Sequence, residues 1–468
     1  MLRSIKKILV TGLLAGLAPA ALAFSLGGPP KGYQVEDIGY MLPGDVVAPM
    51  GLNEGYRWNV PLITYAFDRS FILYFGTNGM KAVDDAFKTL NALPAAGAMS
   101  ADLSEFPTRT HAENYEAAVL GIYDLKSEVL SLILEQMGLA EPERWTFALR
   151  GRVVQTFGTV SITNYTVIKL NYDPVTLRPS SYVNSSLYTY TIVDPVPPLN
   201  HADAEEGFPI FDDDGVPDRT VAKGSLFPGI FYRGLTRDDV GGLRFLLRTN
   251  NLAVEDLITG VTVQEGFAGG LFSGWIPFTG SITNVPGGGA TNSAATNFIT
   301  VGIRPGISKV TFKKVYFDSL IGTAFTPFTN NYTDSVISTK QTRLLKQRAA
   351  RAITAPDILF TAEDLGLSAG LVPIRRFRSG VGNWVDNTAL NGAALAGGPG
   401  VIQGPIVISF TDQYPYFSNT NPGFLTEPTA SSGVWGSFDG STNAPIIYPA
   451  YLNLTIDDLR RLYGRGNN

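Results

Sequence analysis

Reactive side chains are scarce in this chain. It holds two histidines, His111 and His201, and no cysteine. The missing thiols remove disulfides, thiolate metal sites, iron–sulfur clusters and cysteine nucleophiles at once. His111 stands in Arg109-Thr110-His111-Ala112-Glu113 and His201 in a polar stretch. Neither is followed by the glutamate and second histidine that a helical zinc site requires. A centre of two histidines and a carboxylate is allowed by count, but the spacing gives it no support. Gly366-Leu367-Ser368-Ala369-Gly370 has the form of a nucleophile elbow. Such an elbow joins a strand to a helix and precedes its histidine; here both histidines come earlier and Pro373 follows where the helix should run. It reads as a turn in a glycine-rich chain. Asp212-Asp213-Asp214-Gly215-Val216-Pro217-Asp218 places hard oxygen ligands on Asp212, Asp214 and Asp218 around a glycine turn. That pattern suits calcium, and a solvated acidic turn is the alternative.

Composition narrows the class. The 468 residues are 44% hydrophobic and 16% charged, with 50 glycines and 30 prolines. A large core is within reach, and the turn-forming content favours a β-heavy protein. With 36 Lys+Arg against 41 Asp+Glu the net charge is −5, so neither nucleic acid nor an anionic membrane is an expected partner. The basic run Lys340, Arg343, Lys346, Arg348 and Arg351 is expected on a helix at about 339–353, as a solvated face or a partner for acidic surface. No Walker-type or dinucleotide-binding loop is present, and no nucleotide cofactor is expected.

The N-terminus has the parts of an export signal: Arg3, Lys6 and Lys7, the apolar run Ile8 to Leu17, then Ala21-Leu22-Ala23. The apolar run falls short of the ~20 residues of a membrane span. Cleavage is expected near Phe24, giving a periplasmic, cell-surface or extracellular protein with no transmembrane helix. After this signal (1–23), the pattern divides into an extended arm or linker (24–55), an α+β domain (56–252) and a β-rich, sandwich-like domain (253–468) ending in a short helix. The fold class expected is therefore α+β. Within the first domain, Trp58 to Phe67 reads as a strand, and helices are expected at about 79–92 and 113–138, the second closed by Gly138. Strands follow near 145–157, 159–171 and 181–193, with a loop over 194–234. Leu235-Thr236-Arg237-Asp238-Asp239-Val240 and Leu454-Thr455-Ile456-Asp457-Asp458-Leu459 repeat one pattern. Thr236 and Thr455 are N-caps, and Asp239 and Asp458 can return the bond as capping boxes.

That repeated pattern, Leu-Thr-x-Asp-Asp-apolar, resembles the last helix of matrixin-type metzincin metalloproteases, and Leu462-Tyr463-Gly464 matches that family's ending. The run from Trp58 to Asp68 followed by Ala82-Val83 and Ala86-Phe87 is similar to its first strand and first helix. The resemblance covers residues 56–93, 235–247 and 454–464. It implies a shared scaffold without zinc chemistry, since the His-Glu-x-x-His motif and third histidine are absent. Residues 210–218 also resemble part of a thrombospondin type-3-like calcium repeat, with Ile210 standing where the first ligand belongs and no second copy following.

Together these features point to an exported, non-catalytic structural or interaction protein that self-associates or binds other surface proteins. An exported hydrolase with paired carboxylates and a calcium- or carbohydrate-binding module are the alternatives. Calcium at Asp212, Asp214 and Asp218 is the one cofactor under consideration.

Overall fold

The computed structural model describes residues 23–34, 47–193, 203–207, 219–222, 226–263, 299–338, 343–363, 365–366, 378–380, 383–392, 398–411 and 433–464. Its helices and several sheets make a mixed α+β fold. The segment expected as a linker begins in the core. β1 (Phe24–Gly28) is buried along its whole length and pairs antiparallel with Asn171–Tyr172, Ala48–Met50 and Leu139–Ala140. A Cβ on Gly27 would lie 2.7 Å from the Leu139 carbonyl oxygen, and one on Gly28 2.8 Å from the Tyr56 ring. These glycines allow close approach; they do not loosen the chain.

β2 (Leu62–Phe67) leads directly into α1 (Arg69–Asn91), capped by Asp68, whose side chain accepts from the Ser70 amide at 2.7 Å. The helix begins ahead of the expected start and bends at Gly76, where φ is 61°. The continuous helix expected at 113–138 is broken instead. β3 (His111–Glu113), a helical turn at Tyr115–Val119 and a strand at Ile122–Asp124 precede α2 (Leu125–Gln136). Gly121, at φ 66°, interrupts the apolar spacing, and Gly138 at φ 98° closes α2 as expected.

β4 (Ala148–Phe157) and β5 (Val160–Ile168) form a two-stranded ribbon. β6 (Ile230–Tyr232) pairs antiparallel with β3. α3 (Arg237–Leu247) then starts on the expected capping box, with the Thr236 amide donating to Asp239 at 2.9 Å.

Beyond residue 300 the strands include β7 (Thr311–Lys314), β8 (Phe328–Ser338), β9 (Arg343–Ile353), β10 (Ile358–Thr361), β11 (Arg378–Gly380) and β12 (Ile406–Phe410), and α4 (Ile456–Gly464) lies near the end. The central sheet has the order β7-β2-β10-β12-β11. Its first four strands are parallel, and β11 is an antiparallel edge. β2 thus lies between two strands that follow it by more than 200 residues, and one core spans the division expected at 252/253. α1 packs its aromatic face onto this sheet. Ring centroids of Phe67 and Phe71 are 5.1 Å apart, those of Phe75 and Phe410 5.2 Å, and those of Phe87 and Phe312 4.9 Å. Such pairs add about 0.5–1.5 kcal/mol each beyond area burial.

The helix expected at 339–353 is a strand from Arg343 onward. β9 pairs antiparallel with β8 from Ser338↔Arg343 to Phe328↔Ile353. Tyr332, Thr333, Val336 and Ile337 on β8 give a β-favouring template that overrides the helical propensity of Leu344, Leu345, Ala349 and Ala350. The remaining strands of that antiparallel sheet are Ala253–Asp256, Val261–Val263 and Val301–Arg304.

Candidate functional site

Three features present chemistry: an exposed ribbon, a sealed group of carboxylates, and a pocket beside His111. The ribbon is rooted in the core by Ala148 and Leu149, both buried. Ten residues of β4 at ~3.4 Å each give an arm on the order of 30 Å long. Its turn is Gly158-Thr159, with Gly158 at φ 64°. The cross-strand pairs Val153↔Asn164, Gln155↔Ile162 and Phe157↔Val160 lie on one face, because opposed residues point the same way. Val153, Phe157, Val160 and Ile162 are each at least half exposed. That face carries four apolar side chains and two uncharged amides, Gln155 and Asn164, and no charge.

A second apolar projection is the short hairpin joining Phe317–Asp318 to Thr323–Ala324. Asp318 accepts from the Leu320 amide at 2.9 Å and the Ile321 amide at 3.3 Å, which fixes the turn. Leu320 is 90% exposed at its tip, and Tyr316, Ile321 and Phe325 are exposed beside it.

The carboxylates of Glu143, Asp238 and Asp239 are buried near one another, and Glu143 and Asp239 also lie near Tyr232. Glu143 accepts from the Thr220 amide at 2.6 Å and its hydroxyl at 2.8 Å. Asp239 accepts from the amides of Ala222 at 2.9 Å and Val221 at 3.0 Å. Asp238 accepts from the Asn184 amide at 2.6 Å, and the Ala23 amide lies near the same carboxylate. Burial pushes all three acids above the ordinary carboxylate range, with the Glu141 charge adding to the effect on Glu143. Asp238 and Asp239 tie Asn184, Val221 and Ala222 to α3, and Glu143 ties Thr220 to the helical turn Pro142–Trp145. Among the described residues these acids are buried and accept from backbone and hydroxyl donors, which gives them a structural role.

His111, on β3, is buried beside a pocket of about 470 Å³. The pocket lies between the end of α1, at Thr89, Ala92, Leu93 and Pro94, and the segments around Phe106 to His111 and Arg233 to Leu235. Arg109 and Arg233 line it with His111, and no carboxylate is among its lining residues. The sequence places His111 ahead of a helix and gives no sign that it borders a pocket. The register Tyr232↔His111, which sets β3 beside β6 at the pocket, has no local signal.

His201, and the calcium candidates Asp212, Asp214 and Asp218, lie outside the described residues, as does Ser368 of the elbow-like run. The signal residues 1–22 lie outside them too. Arg351 is not a solvated base: it forms a buried ion pair with Asp357. Among the described residues no group of three or more His, Asp or Glu is placed to hold a metal, and no helix is long and apolar enough to cross a membrane. In comparison with known proteins, the chain matches no protein-family model, no curated protein and no solved structure.

Proposed function

We propose that this chain is an exported, non-catalytic interaction protein of the cell surface or extracellular space, and that it self-associates through the β4–β5 ribbon. The observation that carries this reading is the apolar face of Val153, Phe157, Val160 and Ile162 on an arm whose outer half is exposed. A two-stranded hairpin is marginal alone in water and gains stability when its apolar face is covered. A second copy is the occupant that fits. The face is free of charge, so pairing it brings no like charges together in a protein of net charge −5. Two such arms can also be related by a twofold axis, which makes one patch self-complementary. The Leu320-Ile321 tip offers a separate contact, so a copy can touch more than one neighbour. The scaffold is read as metzincin-like without the zinc site. In support, β2 runs straight into α1, and both Thr-Asp capping boxes form.

The absence of cysteine makes a direct test available. Gln155→Cys puts a single thiol on the apolar face. Oxidation of the mature chain is expected to give a covalent dimer, and Lys81→Cys on α1 is not. Equal cross-linking at both positions, or none at 155, would remove the ribbon as the interface.

A further inference from the structure

The Leu320-Ile321 tip is left open by the ribbon contact, and its build says what kind of neighbour it fits. Leu320 is 90% exposed, and Ile321, Tyr316 and Phe325 are exposed with it. Tyr316 and Phe325 lie opposite each other, the Phe325 amide donating to the Tyr316 carbonyl at 3.0 Å. Two aromatic rings therefore stand on one face of the hairpin behind its aliphatic tip. Asp318 takes the three consecutive amides of the turn. Its carboxylate accepts from Leu320 at 2.9 Å and Ile321 at 3.3 Å, and its carbonyl accepts from Gly322 at 2.8 Å. The base is fixed as well, because the Arg69 amide at the start of α1 donates to the Ser319 hydroxyl at 3.0 Å. A turn whose donors are satisfied internally can leave water without breaking hydrogen bonds, which is the condition that lipid imposes on a backbone. Size separates lipid from protein as the occupant. A stable protein interface takes about 20–30 residues a side, and this tip presents four exposed apolar ones.

We propose that the hairpin at 316–325 inserts into the surface of a phospholipid bilayer, with Leu320 and Ile321 reaching the acyl chains and Tyr316 and Phe325 at the level of the headgroups. Aromatic rings with a polar edge favour that level. The insertion is shallow, on the order of 5–10 Å, and leaves Asp318 at the polar boundary. The attraction is apolar. A net charge of −5 gives the chain no pull toward anionic lipid, so zwitterionic phosphatidylcholine is sufficient.

The chain has no cysteine, so Ile321→Cys in mature chain 24–468 carries a single environment-sensitive fluorophore. With phosphatidylcholine vesicles at millimolar lipid, its emission is expected to shift to the blue and to be quenched by spin labels placed high in the acyl chains. A fluorophore at Lys81→Cys is expected to do neither. In vesicle flotation of the unlabelled protein, Leu320→Asp with Ile321→Asp is expected to lower the partition coefficient at least tenfold. The melting temperature is expected to stay unchanged, because both side chains are exposed. Added salt is expected to leave binding as it is, since salt screens charge and not apolar contact. No response at 321, a response that grows with protein concentration and needs no vesicles, equal flotation of the tip variant, or binding that requires anionic lipid and is lost in salt would each overturn the proposal. Phe157→Asp with Ile162→Asp removes the ribbon face and is expected to keep the response at 321, so this inference and the ribbon reading fail separately.

Discussion

Removing the Asp357 carboxylate is expected to cost the central sheet more than any surface charge could. Asp357 is 2% exposed and Arg351 8%. The Asp357 carboxylate accepts from the Thr64 amide at 2.7 Å, the Thr64 hydroxyl at 3.0 Å and Arg351 Nη1 at 3.2 Å, and it also pairs with Nη2. It therefore joins β9 to β2 at the head of β10. Asp357→Ala leaves a buried guanidinium whose remaining partner in this group is the Leu62 carbonyl, at 3.2 Å. Breaking a buried pair from one side costs about 3–5 kcal/mol, because the remaining charge is uncompensated. The two Thr64 donors fall within that range; they do not add to it. Arg351→Met with Asp357→Leu removes both charges, and is expected to lie closer to wild type than Asp357→Ala does. Urea denaturation of the mature chain at neutral pH measures all three. A loss below ~1 kcal/mol for Asp357→Ala would mean a solvated pair. A double variant less stable than the single would refute the desolvation argument itself.

Asp124 is pushed up to about 6, because its burial outweighs the hydrogen bonds from Ser127 and Phe438. The folded state then keeps the proton longer than the unfolded one, so this stabilising term is complete below pH ~4 and is lost as pH rises through about 6. The difference is about 3 kcal/mol, and Asp124→Asn is expected to flatten the fall between those limits in denaturation curves; an unchanged pH slope would contradict it. Gly27→Ala is expected to destabilise by at least ~1–3 kcal/mol, since the added methyl meets the Leu139 carbonyl, and a melting temperature equal to wild type would show that β1 is looser than described. If Asp212, Asp214 and Asp218 hold calcium, calcium at 100 times its Kd stabilises by about 2.7 kcal/mol, and Asp212→Ala abolishes the gain. A melting curve indifferent to saturating calcium would remove that site.

Local features of the fold were legible in the sequence, and pairings over long distances were not. Thr236 and Asp239 announced α3 because a capping box is complete within four residues, and Thr455 with Asp458 did the same for α4. The ribbon strands were legible from their β-branched runs. The expected linker 24–55 opens with a buried strand because Gly27 and Gly28 allow close packing against Leu139 and Tyr56, contacts that only the folded chain supplies. The run at 343–353 misled for a related reason: its leucines and alanines suit a helix, and only the partner strand β8 fixes it as a strand. The parallel placement of β2 between β7 and β10 has no turn to mark it. The same blindness hid the pocket, because segments 89–94, 106–111 and 233–235 come to line it through a pairing that no single segment encodes.

Self-association through the ribbon is tested most directly by native mass spectrometry of residues 24–468 over a range of protein concentrations. Wild type is compared with a variant carrying Phe157→Asp and Ile162→Asp. The account predicts dimers or larger species that grow with concentration in wild type, and monomer in the variant under the same conditions. A wild type that stays monomeric throughout, or a variant that assembles as readily, would contradict it.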